Sequence, residues 1–278
     1  MYYLETNSLI GLANKLYGSE YWDNCYSSIL SLTEILSGIM DDSSFSQRKG
    51  IFTKALFSNI RIDFDLPETK LYKAFGFELD NLIPNNILLI GKILISSESF
   101  SDFLNNIDKS DMTVYWNFLK TYDSASDVKF KESYKNRQDK FDYSDKSMIS
   151  DFKKRWDFLN EKPELKNQTL NELIAYFAET FLAPNAIFKV NFSMDEICKK
   201  YNHSIDFYLL CIGYYSGTKI IFKNAPSKND YFDLNHLMYL PNQNNIIVSN
   251  DKMLFKIMEK IFPNNLISTS ACIKLIEK

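Results

Sequence analysis

Apolar positions occupy Met1 to Leu4, stop at Glu5-Thr6-Asn7, and resume at helical spacing through Leu9, Ile10, Ala13 and Leu16. This pattern predicts strand, turn and helix. Ser28 to Ile39 carries Ile29, Leu32, Ile35, Leu36 and Ile39 on one helical stripe, with Glu34 off it. Asn59 to Leu66 alternates Ile60, Ile62, Phe64 and Leu66, a period-two strand before Pro67, and Glu68 to Phe77 reads as another helix.

From about Pro84 the pattern changes. Residues 85–184 predict several helices and no strand. The clearest runs from Leu170 to Leu182, with Thr169 and Glu172 read as a capping box and Pro184 as its stop. A second box, Ser193 with Glu196, opens a helix to Tyr201, and Ile205 to Tyr215 reads as a buried helix. Ile246 to Val248 is a β-branched strand ending at Ser249-Asn250-Asp251. An amphipathic helix follows through Met253, Leu254, Ile257, Met258, Ile261 and Phe262, and Pro263 ends it. Leu266 to Ser268 predicts a last strand and Ala271 to Ile276 a last helix. Strands alternating with helices at both ends of the chain indicate an α/β fold with a parallel sheet covered on both faces. The expected division is a core of residues 1–84 and 185–278 with a helical insertion, 85–184.

The formal charge of -3 does not advertise nucleic-acid binding in bulk, so charge has to be read locally. Cys25, Cys198, Cys211 and Cys272 form no CxxC pair, which suits a reducing compartment and argues against a disulfide framework or a zinc site. The N-terminus lacks a signal layout, and no stretch approaches the ~20 apolar residues of a membrane span. The expectation is a cytoplasmic protein without membrane contact.

Three acids stand where strands end or helices start: Glu5, Asp251, and Asp233 in Asp233-Leu-Asn-His236-Leu-Met-Tyr-Leu240. Ligands of open parallel sheets bind beyond the carboxyl ends of the strands, so acids from separate strands would converge there, and Glu34 could join from its helix. Hard carboxylate oxygens suit Mg²⁺ or Mn²⁺, which serve phosphoryl transfer. No Gly-rich phosphate loop or nucleophile elbow is present, and only His203 and His236 supply imidazole.

Leu4-Glu5-Thr6-Asn7-Ser8-Leu9-Ile10 resembles the opening of PIN-like nucleases, an apolar strand followed by Asp-Thr-Asn and a helix. Ser31-Leu32-Thr33-Glu34-Ile35 resembles their second motif, Asp230-Tyr-Phe-Asp233-Leu-Asn-His236 the third, and Val248-Ser249-Asn250-Asp251-Lys252 the fourth. The resemblance covers roughly residues 1–80 and 190–278. It implies a three-layer α/β/α, Rossmann-like core, a Mg²⁺ or Mn²⁺ site held by Glu5, Glu34, Asp233 and Asp251, and endonuclease activity usually directed at RNA, with DNA an open alternative. Asn7, Ser249 and Asn250 would stand just behind the ligands. Toxin or defence roles, with a protein inhibitor or antitoxin as partner, are common for such folds, and oligomers are compatible with it. The chain departs from the pattern by having Glu5 where Asp is usual and by its long insertion. A catalytically silent PIN-like scaffold that binds RNA or protein is the competing reading.

Each acid also has a purely structural reading. Asp251 makes a good N-cap, worth ~1 kcal/mol without any function. Asp230 and Asp233 favour a helix N-terminus through the dipole, and Glu34 alone reads as a solvated helix residue. His236, three residues after Asp233, shares its face and could orient that carboxylate, contact substrate or make a local hydrogen bond. Between Lys129 and Arg155 nine Lys or Arg oppose five acids, interleaved with Phe130, Tyr134, Phe141 and Trp156. Lys153, Lys154 and Arg155 are the candidate substrate contacts there, the alternative being a solvated helical face.

Overall fold

The computed structural model describes residues 1–58, 60–79, 83–182 and 193–276. Among these, five strands form one all-parallel sheet: β1 (Tyr2–Leu4), β2 (Cys25–Ser28), β3 (Arg61–Asp63), β4 (Ile246–Val248) and β5 (Leu266–Ile267), in the order β3-β2-β1-β4-β5. Leu4 lies opposite Val248 and Tyr3 opposite Tyr26. The chain builds outward from β1 through β2 to β3, then returns to the other side of β1 with β4 and β5. The order therefore reverses between β1 and β4, and in open α/β sheets the crevice beyond the strand ends opens at such a reversal.

Helices cover both faces. They are α1 (Thr6–Leu16), α2 (Ile29–Ser37), α3 (Asp42–Phe57), α4 (Pro67–Ala74), α5 (Ile83–Ser96), α6 (Phe100–Lys109), α7 (Thr113–Lys140), α8 (Lys146–Asp157), α9 (Pro163–Phe177), α10 (Met194–Lys199), α11 (Asp206–Ile221), α12 (Asp230–Asn235), α13 (Lys252–Ile261) and α14 (Thr269–Ile276). Successive strand residues point to opposite faces. Tyr3, Tyr26 and Ile247 accordingly enter one hydrophobic core with α4, α8 to α13 and the end of α7, while Leu4, Cys25 and Val248 enter another with α1 to α3, α5, α6 and α14. The expected three layers follow from this alternation.

The middle of the chain builds no core by itself. Ile87, Ile90, Leu94, Phe103 and Trp116 join the core of α1 and α2, whereas Tyr134, Trp156, Leu170 and Ile174 join the core of α11. The 28-residue α7, about 42 Å long at 1.5 Å per residue, passes from one layer to the other.

Several expectations need correction. The capping box at Thr169 and Glu172 does not exist, because α9 already starts at Pro163. Thr169 sits inside that helix, returning its hydroxyl to the Leu165 carbonyl at 2.8 Å, and Glu172 pairs with Arg155. The helix ends in a π turn, Ala178–Leu182, and Pro184 lies outside the described residues. The period-two stretch before Pro67 is a strand only over Arg61–Asp63. Phe130, Tyr134 and Trp156 are packed into the core of α11 and are not free to stack on bases. No helix among the described residues is long and apolar enough to cross a membrane.

Candidate active site

Glu5 is where β1 gives way to α1. Its carboxylate folds back as the N-cap, accepting from Asn7 N at 2.7 Å and Ser8 N at 3.1 Å, and Ser8 Oγ donates to it at 3.0 Å. Only 3% of Glu5 is exposed. Burial raises its pKa above the usual carboxylate value, and Glu34 adds to the rise. His236, Asn7 and Ser8 oppose it.

Asp251 occupies the matching place after β4. Its Oδ1 caps α13 by accepting from Leu254 N at 2.8 Å, while its own N–H donates to Ser249 Oγ at 3.0 Å. Asn250 donates its amide to Thr269 Oγ1 at 2.9 Å and accepts from Thr269 N at 3.1 Å. Thr269 Oγ1 also meets Ser8 Oγ at 3.0 Å, so one polar chain from Glu5 through Ser8 and Thr269 to Asn250 ties the ends of β1, β4 and β5 together.

Glu34 reaches in from α2. The Thr6 hydroxyl donates to its Oε2, and His236 Nε2 lies 2.9 Å from the same oxygen. His236 Nδ1 in turn lies 2.6 Å from the Tyr3 hydroxyl, which stands 2.8 Å from Ser28 Oγ. Burial alone would drive the His236 ring neutral. The hydrogen bond and charge of Glu34, with Glu5 and Asp233 behind them, outweigh that and raise its pKa. As an imidazolium the ring donates from Nε2 to Glu34 and from Nδ1 to Tyr3.

Asp233 lies in the first turn of α12. Its carboxyl is pushed up to about 8, first by burial and then by the charge of Asp251, with Glu34 and Glu5 adding and His236 opposing. Four acids from four separate segments therefore share one electrostatic field, with a single histidine among them. As they stand, Glu5 and Asp251 are turned to their own helices and Glu34 to Thr6 and His236. Among the described residues no three His, Cys, Asp or Glu side chains are gathered closely enough to hold one ion.

The sequence-based candidates thus converge in part. Glu5, Glu34, Asp233 and Asp251 fall together, and Ser249 stands behind Asp251 as expected. Asn7 is exposed and contributes its backbone N–H to Glu5. His236 orients Glu34, not the Asp233 carboxylate it shares a helix face with. Lys153 stands over the Phe222 ring and Arg155 pairs with Glu172. Asp157, at the end of their helix, pairs at 2.6 Å with Lys260, nine residues and so about 13 Å along α13 from Asp251. Tyr3, Thr6, Ser8 and Thr269 were not anticipated. For Tyr3 a signal existed, since period two puts it on the same side as Glu5. No family model, curated protein or solved structure matches this chain.

Proposed function

We propose that the chain is a PIN-like, metal-dependent endonuclease that cuts RNA, with Glu5, Glu34, Asp233 and Asp251 as the residues that would hold Mg²⁺ or Mn²⁺. The observation that carries this reading is that four carboxylates from separate segments share one field near the β1/β4 reversal: burial first, and then the charges of Asp251, Glu34 and Glu5, push Asp233 to about 8. Buried like charges cost stability unless a cation offsets them. An all-oxygen donor set with no thiolate fits a hard divalent ion.

Such an ion, when bound, would acidify a water and steady the charge that builds on the phosphoryl group. The chain's own residues prepare the place. Ser249 and Asn250 hold the turn after β4, Ser8 holds Glu5, and Thr6 with His236 fixes the rotamer of Glu34. The test is Mn²⁺-dependent cleavage of RNA by the purified chain beside Asp251→Asn, which keeps a good N-cap, and Glu34→Gln. Equal cleavage by all three would reject the assignment.

One observation favours a second reading, a catalytically inactive PIN-like scaffold for RNA or protein. His236 already pairs with Glu34, and Glu5 and Asp251 serve as helix caps. Calorimetric titration with Mn²⁺ separates the two: binding abolished by Asp233→Asn counts against the scaffold, and no binding by the wild type supports it.

A further inference from the structure

We propose that the end of the molecule where α7, α8 and α11 meet is a binding surface for single-stranded nucleic acid. Three segments distant in sequence converge there. Gln138 near the end of α7 donates to the Lys219 carbonyl at 2.9 Å and the Asn224 carbonyl at 3.1 Å, and Tyr143 donates to the Ile220 carbonyl at 2.9 Å. Lys153 of α8 stands over the ring of Phe222 at 5.4 Å, and Lys223 over Tyr143 at 3.9 Å.

The charge at this end is one-sided. Residues 135–155 and 219–228 hold ten Lys or Arg against four Asp, and Glu172 and Asp230 pair with Arg155 and Lys219, which leaves a surplus of four in a chain whose net charge is -3. Helix dipoles do not require it. The C-termini of α7 and α11 bring roughly half a negative charge each, and the N-terminus of α8 returns about half a positive one. Lys135, Lys140, Lys146, Lys153, Lys154 and Lys223 are exposed. Phe222 is 49% exposed amid them, with Lys153 over its ring. Basic side chains with an open aromatic are what an unpaired strand needs: phosphates meet cations and bases stack.

Lys223 ends α11 in the left-handed region at φ 52°, where its successor Asn224 N–H closes back on the Lys219 carbonyl at 2.9 Å. Glycine is the usual residue at such a helix end, and a side chain there costs roughly 1 kcal/mol. A lysine stands at that position, exposed, with its ammonium over the Tyr143 ring. Lys219, one turn back, lies 3.5 Å from Asp230, three residues before Asp233, so the surface leads toward the acids. As a substrate path it rests on the nuclease reading; as a binding surface it does not.

The test is fluorescence anisotropy with the full chain and a labelled oligouridine of about 12 nucleotides, in EDTA so that cleavage plays no part. The wild type should bind at low salt. The variant Lys153→Gln, Lys154→Gln, Lys223→Gly should bind about tenfold more weakly or worse, with its salt slope flatter by about 2, at roughly 0.7 per lost phosphate contact. Lys223→Gly alone should raise the thermal midpoint while weakening binding, which separates the surface from folding. Phe222→Ala should cost about tenfold for the single strand and little for a duplex. Absent binding, unchanged affinity in the triple variant, or equal competition by polyglutamate of matched charge would overturn the proposal. Binding that persists without cleavage once Mn²⁺ is added would keep the surface and remove the nuclease reading.

Discussion

His236 Nε2 lies 2.9 Å from Glu34 Oε2, a contact between residues 202 positions apart that joins α12's end to α2. His236 is 1% exposed and, among the described residues, has no other carboxylate within hydrogen-bonding distance. His236→Ala leaves Glu34 facing an unfilled polar gap. The expected loss is about 2 to 4 kcal/mol, below the full value for a buried pair because Glu34 is partly open to water. Urea denaturation reads it directly, and an unchanged midpoint would show the pair to be idle.

The metal-free chain should lose stability as pH rises. Asp233 titrates at about 8 in the fold against an ordinary 3.8, so the folded state holds its proton more tightly than the unfolded state. The stability from that proton is complete below the ordinary value and is lost as pH climbs through about 8. Glu5 and His236, both raised, act in the same direction. In EDTA the thermal midpoint is expected to fall between about pH 6 and pH 8.5, and Asp233→Asn should remove part of the fall. A midpoint that rises over this range contradicts the account of the acid cluster.

Mn²⁺ should reverse that loss. At one hundred times its dissociation constant a ligand of the folded state adds about 2.7 kcal/mol. Thermal shift at pH 8 with and without Mn²⁺ measures it for the wild type and for Asp251→Asn, which should respond weakly. RNA cleavage by Asp251→Asn should fall about 100-fold or more, equivalent to about 2.7 kcal/mol of transition-state stabilisation.

Two glycines should answer in opposite senses. A Cβ at Gly91 of α5 would overlap the ring of Phe52, which is fully buried and has nowhere to move. Gly91→Ala should destabilise by about 1 to 3 kcal/mol. Gly50, inside α3, has nothing within 4 Å of the added carbon, and Gly50→Ala should stabilise by about 0.5 to 1 kcal/mol. Denaturant midpoints decide both.

Elements whose apolar pattern matches their burial were legible. Ile246–Val248, buried and bounded by polar turns, is a strand over those same residues, and the Ser193–Glu196 box does open α10. Cys25–Ser28 escaped notice because half of this buried strand is serine. Ser27 donates to the Leu4 carbonyl at 2.7 Å, and Ser28 caps α2, so polar atoms are satisfied where an apolar run was sought. At the site, the acids could be named because strand ends and helix starts are local features. The company each keeps depends on which strands become neighbours. Asp233 sits close to Asp251 because α12 packs against α13, and His236 meets Glu34 of a helix distant in sequence, neighbours that no local pattern encodes.

The pairing of Leu4 with Val248 has a consequence for synthesis. β1, the central strand, is made long before β4, since Leu4 and Val248 lie 244 positions apart, and it must wait for that later segment before its second edge is covered. A truncated product ending before β4 lacks Asp251 and leaves β1 with an open flank, a template for clumping with other chains. Any chemistry performed by these acids is thereby withheld from copies that stop short of β4 and Asp251.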